Sequence, residues 1–237
     1  DRAINEFRAG RPIIINEIKK NWIFFTLEYV DIKLLKQISK KSSSKIFSFI
    51  TNKKGNELLE TNLKHKGCMN MPINIPDILW LKSIHLNKIN NFKKNKIDKE
   101  NLKKNPKFID DVIDLAKNAK MIPCLVGCVV NIKKINSSIM MFKYNEINNQ
   151  HKFIADSTQL VSTSYVPLEK DHKAKIMIFK SFVGGLEHVA IRIGKPNVKI
   201  NVNLRIQSSC LTGEVFHSLK CDCNQQVHQS IDYLSRN

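Results

Sequence analysis

Three cysteines near the C-terminal end, Cys210, Cys221 and Cys223, stand in a Cys-x10-Cys-x-Cys spacing and make up half of the six cysteines in the chain. Thiolates gathered so closely, where no secretory pattern points to disulfides, form the donor set of a soft divalent ion, usually zinc. Three protein ligands leave a tetrahedral ion one position short. That open position lets zinc bind water and lower its pKa to ~7, which makes hydrolysis possible at neutral pH. Two other readings stand beside this one. A fourth ligand such as His217 would close the site and make it structural, or the thiols are three unconnected buried side chains.

The flanking residues need elements to position them. Val198, Ile200, Val202, Leu204 and Ile206 alternate with Lys199, Asn201, Asn203, Arg205 and Gln207, which predicts a half-buried strand running into the first cysteine. Arg205 and Gln207 then share its polar face, where a guanidinium can grip a phosphate or purine edge in bidentate fashion. An ordinary surface arginine is the plain alternative. Thr212-Gly213 predicts a tight loop that uses the freedom of glycine at positive φ. Val227, Ile231 and Leu234 recur at helical spacing, so a helix is predicted over Asn224 to Leu234. Gln226 falls in its first turn, placed either to reach a ligand beside the metal or to face solvent.

The stretch Arg205 to Cys223, with Cys-Leu-Thr-Gly-Glu at 210–214 and Cys-Asp-Cys at 221–223, resembles the zinc motif of GTP cyclohydrolase II, an entry enzyme of riboflavin synthesis. Glu187-His188-Val189-Ala190 with Gly194 is similar to that family's Glu-His-x-Ala segment. The resemblance implies one Zn2+ per chain on Cys210, Cys221 and Cys223, with water as fourth ligand. It also implies contacts to GTP from Arg205, Ile206, Gln207, Ser208, Ser209 and Gln226. The implied reaction is hydrolytic opening of the guanine imidazole ring, releasing formate and pyrophosphate, with Mg2+ at the substrate phosphates. Three departures mark this chain. Gln207-Ser208-Ser209 replaces the family's His-Ser-Glu, His217 stands where a glycine is usual, and Asn224-Gln225 replaces Gly-Pro. The family's later arginine, aspartate and tyrosine have no counterparts here, so a piece of a longer enzyme is expected, with no catalytic residue beyond the zinc-bound water. A cyclohydrolase-like protein that keeps zinc for structure, or binds nucleotide without turnover, is the alternative.

In the first half, Ala3 to Ala9 predicts a short helix, Gly10 its stop, and Ile13 to Ile15 a buried strand. Helices are predicted over Asp31 to Lys40 and Asn56 to His65, with a strand over Lys45 to Ile50 between them. This order resembles the start of dihydroxybutanone phosphate synthase. That family places an acidic cluster after the first strand, whereas here Asn16-Glu17-Ile18-Lys19-Lys20 offers one carboxylate among lysines, too few oxygens for a hard cation. Lysine and asparagine dominate Asn87 to Lys107, which reads as a linker. Phe108 to Lys120 predicts a helix. Cys124, Val126, Cys128 and Val130 predict a strand with core thiols, and the solitary Cys68 is expected to be buried or incidental. The expected fold is mixed α/β. Its expected domains are a catalytically silent, synthase-like domain over 1–120 and the N-terminal part of a zinc-bearing cyclohydrolase domain over 121–237.

The formal charge of +18 invites a polyanion partner. The lysines are nonetheless scattered among asparagine and isoleucine, and no helix-turn-helix or ribonucleoprotein motif accompanies them. Attraction of a triphosphate is therefore expected rather than binding of nucleic acid. No apolar run reaches the ~20 residues of a membrane span. A cytoplasmic setting fits the unpaired thiols, and the family resemblance implies a homodimer.

Overall fold

Branched and aromatic runs in the first half become strands covered on both faces. Ile13–Ile15, Ile23–Leu27 and Cys124–Val126 are buried without interruption. The computed structural model describes all residues except 19, 60–61, 63–66, 86–102, 105–106, 136–137, 149–153, 169–172, 182–186 and 237. It divides into two units, Asp1–Asp156 and Ser157–Asn237.

The first unit holds a sheet of seven strands. They are β1 (Ile13–Glu17), β2 (Lys20–Thr26), β3 (Ile46–Thr51), β4 (Cys68–Pro72), β5 (Lys103–Lys104), β6 (Cys124–Val130) and β7 (Met141–Lys143). Their spatial order is β5-β4-β3-β6-β2-β1-β7, antiparallel throughout except for the β1–β7 pair. The period of two sorts the side chains of β2. Ile23 and Phe25 enter a core shared with Leu35 and Ile38 of α2 (Ile32–Ser42) and with Ile78 and Leu81 of α4 (Ile75–His85). Trp22 and Phe24 face the other way, onto Phe108 of α5 (Lys107–Asn118).

Local rules account for the helix ends. Helix α1 (Arg2–Arg8) stops at Gly10, whose φ of 72° is left-handed. Gly10 N–H donates to the Phe7 carbonyl and Arg11 N–H to that of Glu6, the paired bonds of a Schellman stop. Asp31 caps α2 by accepting from Leu34 N–H at 2.9 Å. Helix α3 (Asn52–Leu59) starts directly after β3, earlier than the Asn56 to His65 expectation, most of whose second half lies outside the described residues. Most of the expected linker also lies outside them, although Lys103–Lys104 pairs with β4.

The expected boundary at 120/121 is corrected. Strand β6 pairs on both sides, with β2 and with β3, so it is the middle of the first sheet and the division falls at 156/157. Its Cys124 and Cys128 are core thiols, each pushed up to about 12 by burial. Cys68 is buried, as expected. Gly127 lies where a Cβ would come 2.2 Å from the Ile23 carbonyl oxygen. Because that neighbour is backbone, no rotamer change relieves the overlap. Gly127→Ala should therefore lower unfolding free energy by about 1–3 kcal/mol, read by urea titration; a change inside the fitting error would refute the close approach.

The second unit is an antiparallel meander of β8 (Thr158–Pro167), β9 (Lys173–Ser181) and β10 (Glu187–Ile193), in the order β10-β9-β8. Helix α6 (Cys223–Arg236) closes it, with Val227, Ile231 and Leu234 half-buried on one side. The strand expected over Val198 to Gln207 does not form. Residues 201–210 are irregular, and Val198, Leu204 and Ile206 are more than four-fifths exposed. Alternation supplies the side-chain half of a strand, but a strand also needs a ladder partner. Among the described residues β10 pairs with β9 alone. None of the described helices is long and apolar enough to cross a membrane.

Candidate metal centre

One turn of π-type backbone over Leu211–Val215 carries the chain past Cys210, and Glu214 N–H donates to the Cys210 carbonyl at 2.8 Å. Residues 216–222 then return the chain so that Cys221 and Cys223, at the start of α6, meet Cys210. All three sulfurs lie within 4.8 Å of one another, with Cys210 Sγ and Cys221 Sγ at 3.7 Å. That separation is far beyond a disulfide bond. It matches the roughly 3.8 Å edge of a tetrahedron built with Zn–S bonds of ~2.3 Å. The residues present therefore fit a soft divalent ion.

Gly213 completes the fit for a reason different from the expected one. Its φ is not positive; instead its bare Cα faces the cluster. A Cβ there would lie 2.6 Å from Cys221 Sγ, 3.1 Å from Cys223 Cβ and 3.4 Å from Cys210 Sγ. His217 adopts φ 50°, the left-handed region that suits the glycine expected there, and its side chain is exposed. Among the described residues the cluster comprises the three cysteines without His217.

The sulfurs are electrostatically unequal. The Thr212 hydroxyl at 3.5 Å, the Gly213 N–H and the neighbouring thiols stabilise the Cys210 thiolate and bring its pKa down to about 7. Cys223 is pushed up to about 12, because its proton is shared with Cys210 and Cys221 and a second negative sulfur beside the first is disfavoured. With a folded value below its ordinary 9.0, the Cys210 thiolate favours the fold at alkaline pH, and this contribution is lost as pH falls through about 7. In metal-free protein at pH 8, iodoacetamide should label Cys210 well ahead of Cys223, as read by peptide mass mapping. Equal labelling would contradict this ordering.

The residues expected to touch a ligand are brought together in part. Arg205 donates from Nε to Gln207 Oε1 at 3.0 Å and from Nη2 to Gln226 Oε1 at 2.5 Å. Arg205, Ile206 and Gln226 line one open cleft of about 670 Å³ with Tyr233 and Leu234. A second cleft, of about 640 Å³, is bordered by Gly213, His217, Cys221 and Asp222. Ser208 and Ser209 are exposed on the segment leading into Cys210. Two carboxylates escaped the sequence reading. Gln207 Nε2 donates to Glu214 Oε1 at 3.0 Å, and Gln226 Nε2 donates to Asp222 Oδ2 at 2.8 Å. Their places in the chain, Glu214 after Thr212-Gly213 and Asp222 between two cysteines, were the available signal.

Fold and site together define a mixed α/β protein whose second unit brings three cysteine sulfurs within reach of a single metal ion, with Arg205 hydrogen-bonded to Gln207 and Gln226 in the same unit. Residues 159–237 match the model of the GTP cyclohydrolase II family. It is similar to GTP cyclohydrolase-2 of Xylella fastidiosa (strain Temecula1), 40% identical over 76 residues, which cover 32% of this chain and 19% of the relative. It is also similar to riboflavin biosynthesis protein RibBA of Staphylococcus haemolyticus, 31% identical over 137 residues, covering 52% of this chain and 34% of that one. The chain thus spans about a fifth to a third of the length of these curated relatives. A solved two-domain 3,4-dihydroxy-2-butanone 4-phosphate synthase from A. baumannii overlaps 94% of this chain and 78% of its own. Its TM-score of 0.40 at 9% identity is too loose to assign the first unit a family.

Proposed function

We propose that the protein is a GTP cyclohydrolase II of riboflavin biosynthesis, opening the guanine imidazole ring of GTP by hydrolysis with release of formate and pyrophosphate. The observation that carries this reading is the trio of sulfurs within 4.8 Å of one another, two of them 3.7 Å apart, within the segment that matches the family. Cys210, Cys221 and Cys223 would hold zinc, which supplies redox-inert Lewis acidity able to make a nucleophile of water near neutral pH. Arg205 supplies the guanidinium for a phosphate or purine edge, and Gln226 holds it toward the cleft that both line. Ile206, Gln207, Ser208 and Ser209 are the remaining residues assigned to GTP. Mg2+ at the substrate phosphates, a homodimer and a cytoplasmic setting complete the reading.

The first unit is proposed to be synthase-like and catalytically silent. In the β1–β2 hairpin, Glu17 stands opposite Lys20 in register, one carboxylate where Mg2+ would need several oxygens.

One observation favours the second reading, nucleotide binding without turnover. The Gln207 amide, which replaces the family's imidazole, is already committed to Arg205 and Glu214. Zinc-loaded, full-length protein given GTP separates the two: formate and pyrophosphate should appear in equal amounts. GTP affinity without formate would leave binding alone, and neither would end both readings.

A further inference from the structure

The two carboxylates that the sequence reading passed over sit at the ends of one hydrogen-bonded chain. From one end it runs Glu214 Oε1, Gln207 amide, Arg205 guanidinium, Gln226 amide, Asp222 Oδ2. Each glutamine turns its carbonyl oxygen to the guanidinium and its NH2 to a carboxylate. The arrangement is thus the same on both sides of Arg205, and the carboxylates set the amide orientations, because an ionised carboxylate accepts and never donates. The anchors lie on different pieces of the second unit. Glu214 belongs to the π turn after Cys210, and Asp222 lies between Cys221 and Cys223 at the head of α6. An arginine on an irregular, exposed segment is therefore pinned to both arms of the cysteine loop.

We propose that Glu214 and Asp222 are positioning residues that fix Arg205 for an anionic group of the nucleotide. This rests on the nucleotide reading of Arg205 given above. Of the five N–H groups of a guanidinium, Nε–H and one on Nη2 are engaged within the described residues. The remaining three are the donors offered to a phosphate or purine oxygen. Without the brackets an exposed arginine samples many rotamers, and ordering it on binding costs affinity. The chain also ties the arginine to the metal loop, so the two halves of the site are held in register.

The test uses zinc-loaded, full-length protein and the variants Asp222→Ala, Glu214→Ala, Asp222→Asn and Glu214→Gln. Asparagine and glutamine keep an acceptor oxygen and serve as conservative rescues. Three quantities are read: zinc content, the exchange-protected Arg205 Nε–H resonance in 1H–15N spectra, and the GTP dissociation constant by calorimetry. The alanine variants should keep one zinc, lose the protected resonance and bind GTP about tenfold more weakly, while the amide variants recover most of both. An unchanged resonance and GTP affinity in both alanine variants would overturn the proposal. Loss of zinc from Asp222→Ala would also overturn it, by assigning that carboxylate to the metal loop. A parent protein that shows the protected resonance but no affinity for GTP would sink the function proposed above, while the bracket itself stood.

Discussion

Cys221→Ser should lower zinc affinity by at least about a hundredfold and abolish formate release from GTP. A thiolate is soft and ionised when coordinated, whereas a serine hydroxyl is hard and stays protonated at neutral pH. Loss of an outer-shell partner already costs ~10–100-fold in metal affinity, and Cys221 is one of the three cysteines clustered among the described residues, 3.7 Å from Cys210. The measurement is competition against a chromophoric zinc chelator, beside elemental analysis of freshly purified protein. The first unit should melt unchanged, because its core draws on residues before 157. A variant that holds stoichiometric zinc within tenfold of the parent affinity would remove the three-thiolate centre from consideration.

Gly213→Ala should produce a loss of similar size by a different route. The added methyl lies 2.6 Å from Cys221 Sγ, well inside contact distance. In metal-free protein the cysteine side chain can rotate away at little cost, but zinc must draw the sulfur back, so the overlap is felt on binding. A backbone φ outside the left-handed region means that alanine itself brings no conformational strain. The expected pattern is therefore zinc binding weaker by about a hundredfold with metal-free stability nearly unchanged. Unchanged affinity would show that the loop yields, and a general loss of stability would mark a folding role instead.

Much of the first unit was legible because its signals are local. A helix followed by glycine, helical apolar spacing and uninterrupted apolar runs each fix backbone within a few residues, and α1, α2, β1, β3, α5 and β6 stand close to where these signals put them. What failed was long-range. Cys124 to Val130 reads as the opening of a second domain until pairing with β2 and β3 makes it the centre of the first sheet. The Val198 to Gln207 alternation has the period of a strand but finds no neighbour among the described residues. Periodicity states what a segment could bury, and pairing decides whether it does.

At the centre itself, sequence alone offered three sulfurs as candidate donors, because the preference of sulfur for a soft ion depends on atom type. It also marked Arg205 and Gln226 as candidate ligand contacts. Only the tertiary structure decided that the three sulfurs converge, that His217 is not a member of their cluster, and that Gly213 is needed for space rather than for φ. Only the tertiary structure showed Glu214 and Asp222 bracketing Arg205 through two amides. The reason is range: coordination and hydrogen bonding act over about 3 Å, and which residues come within that distance is set by how turn, loop and helix fold onto one another.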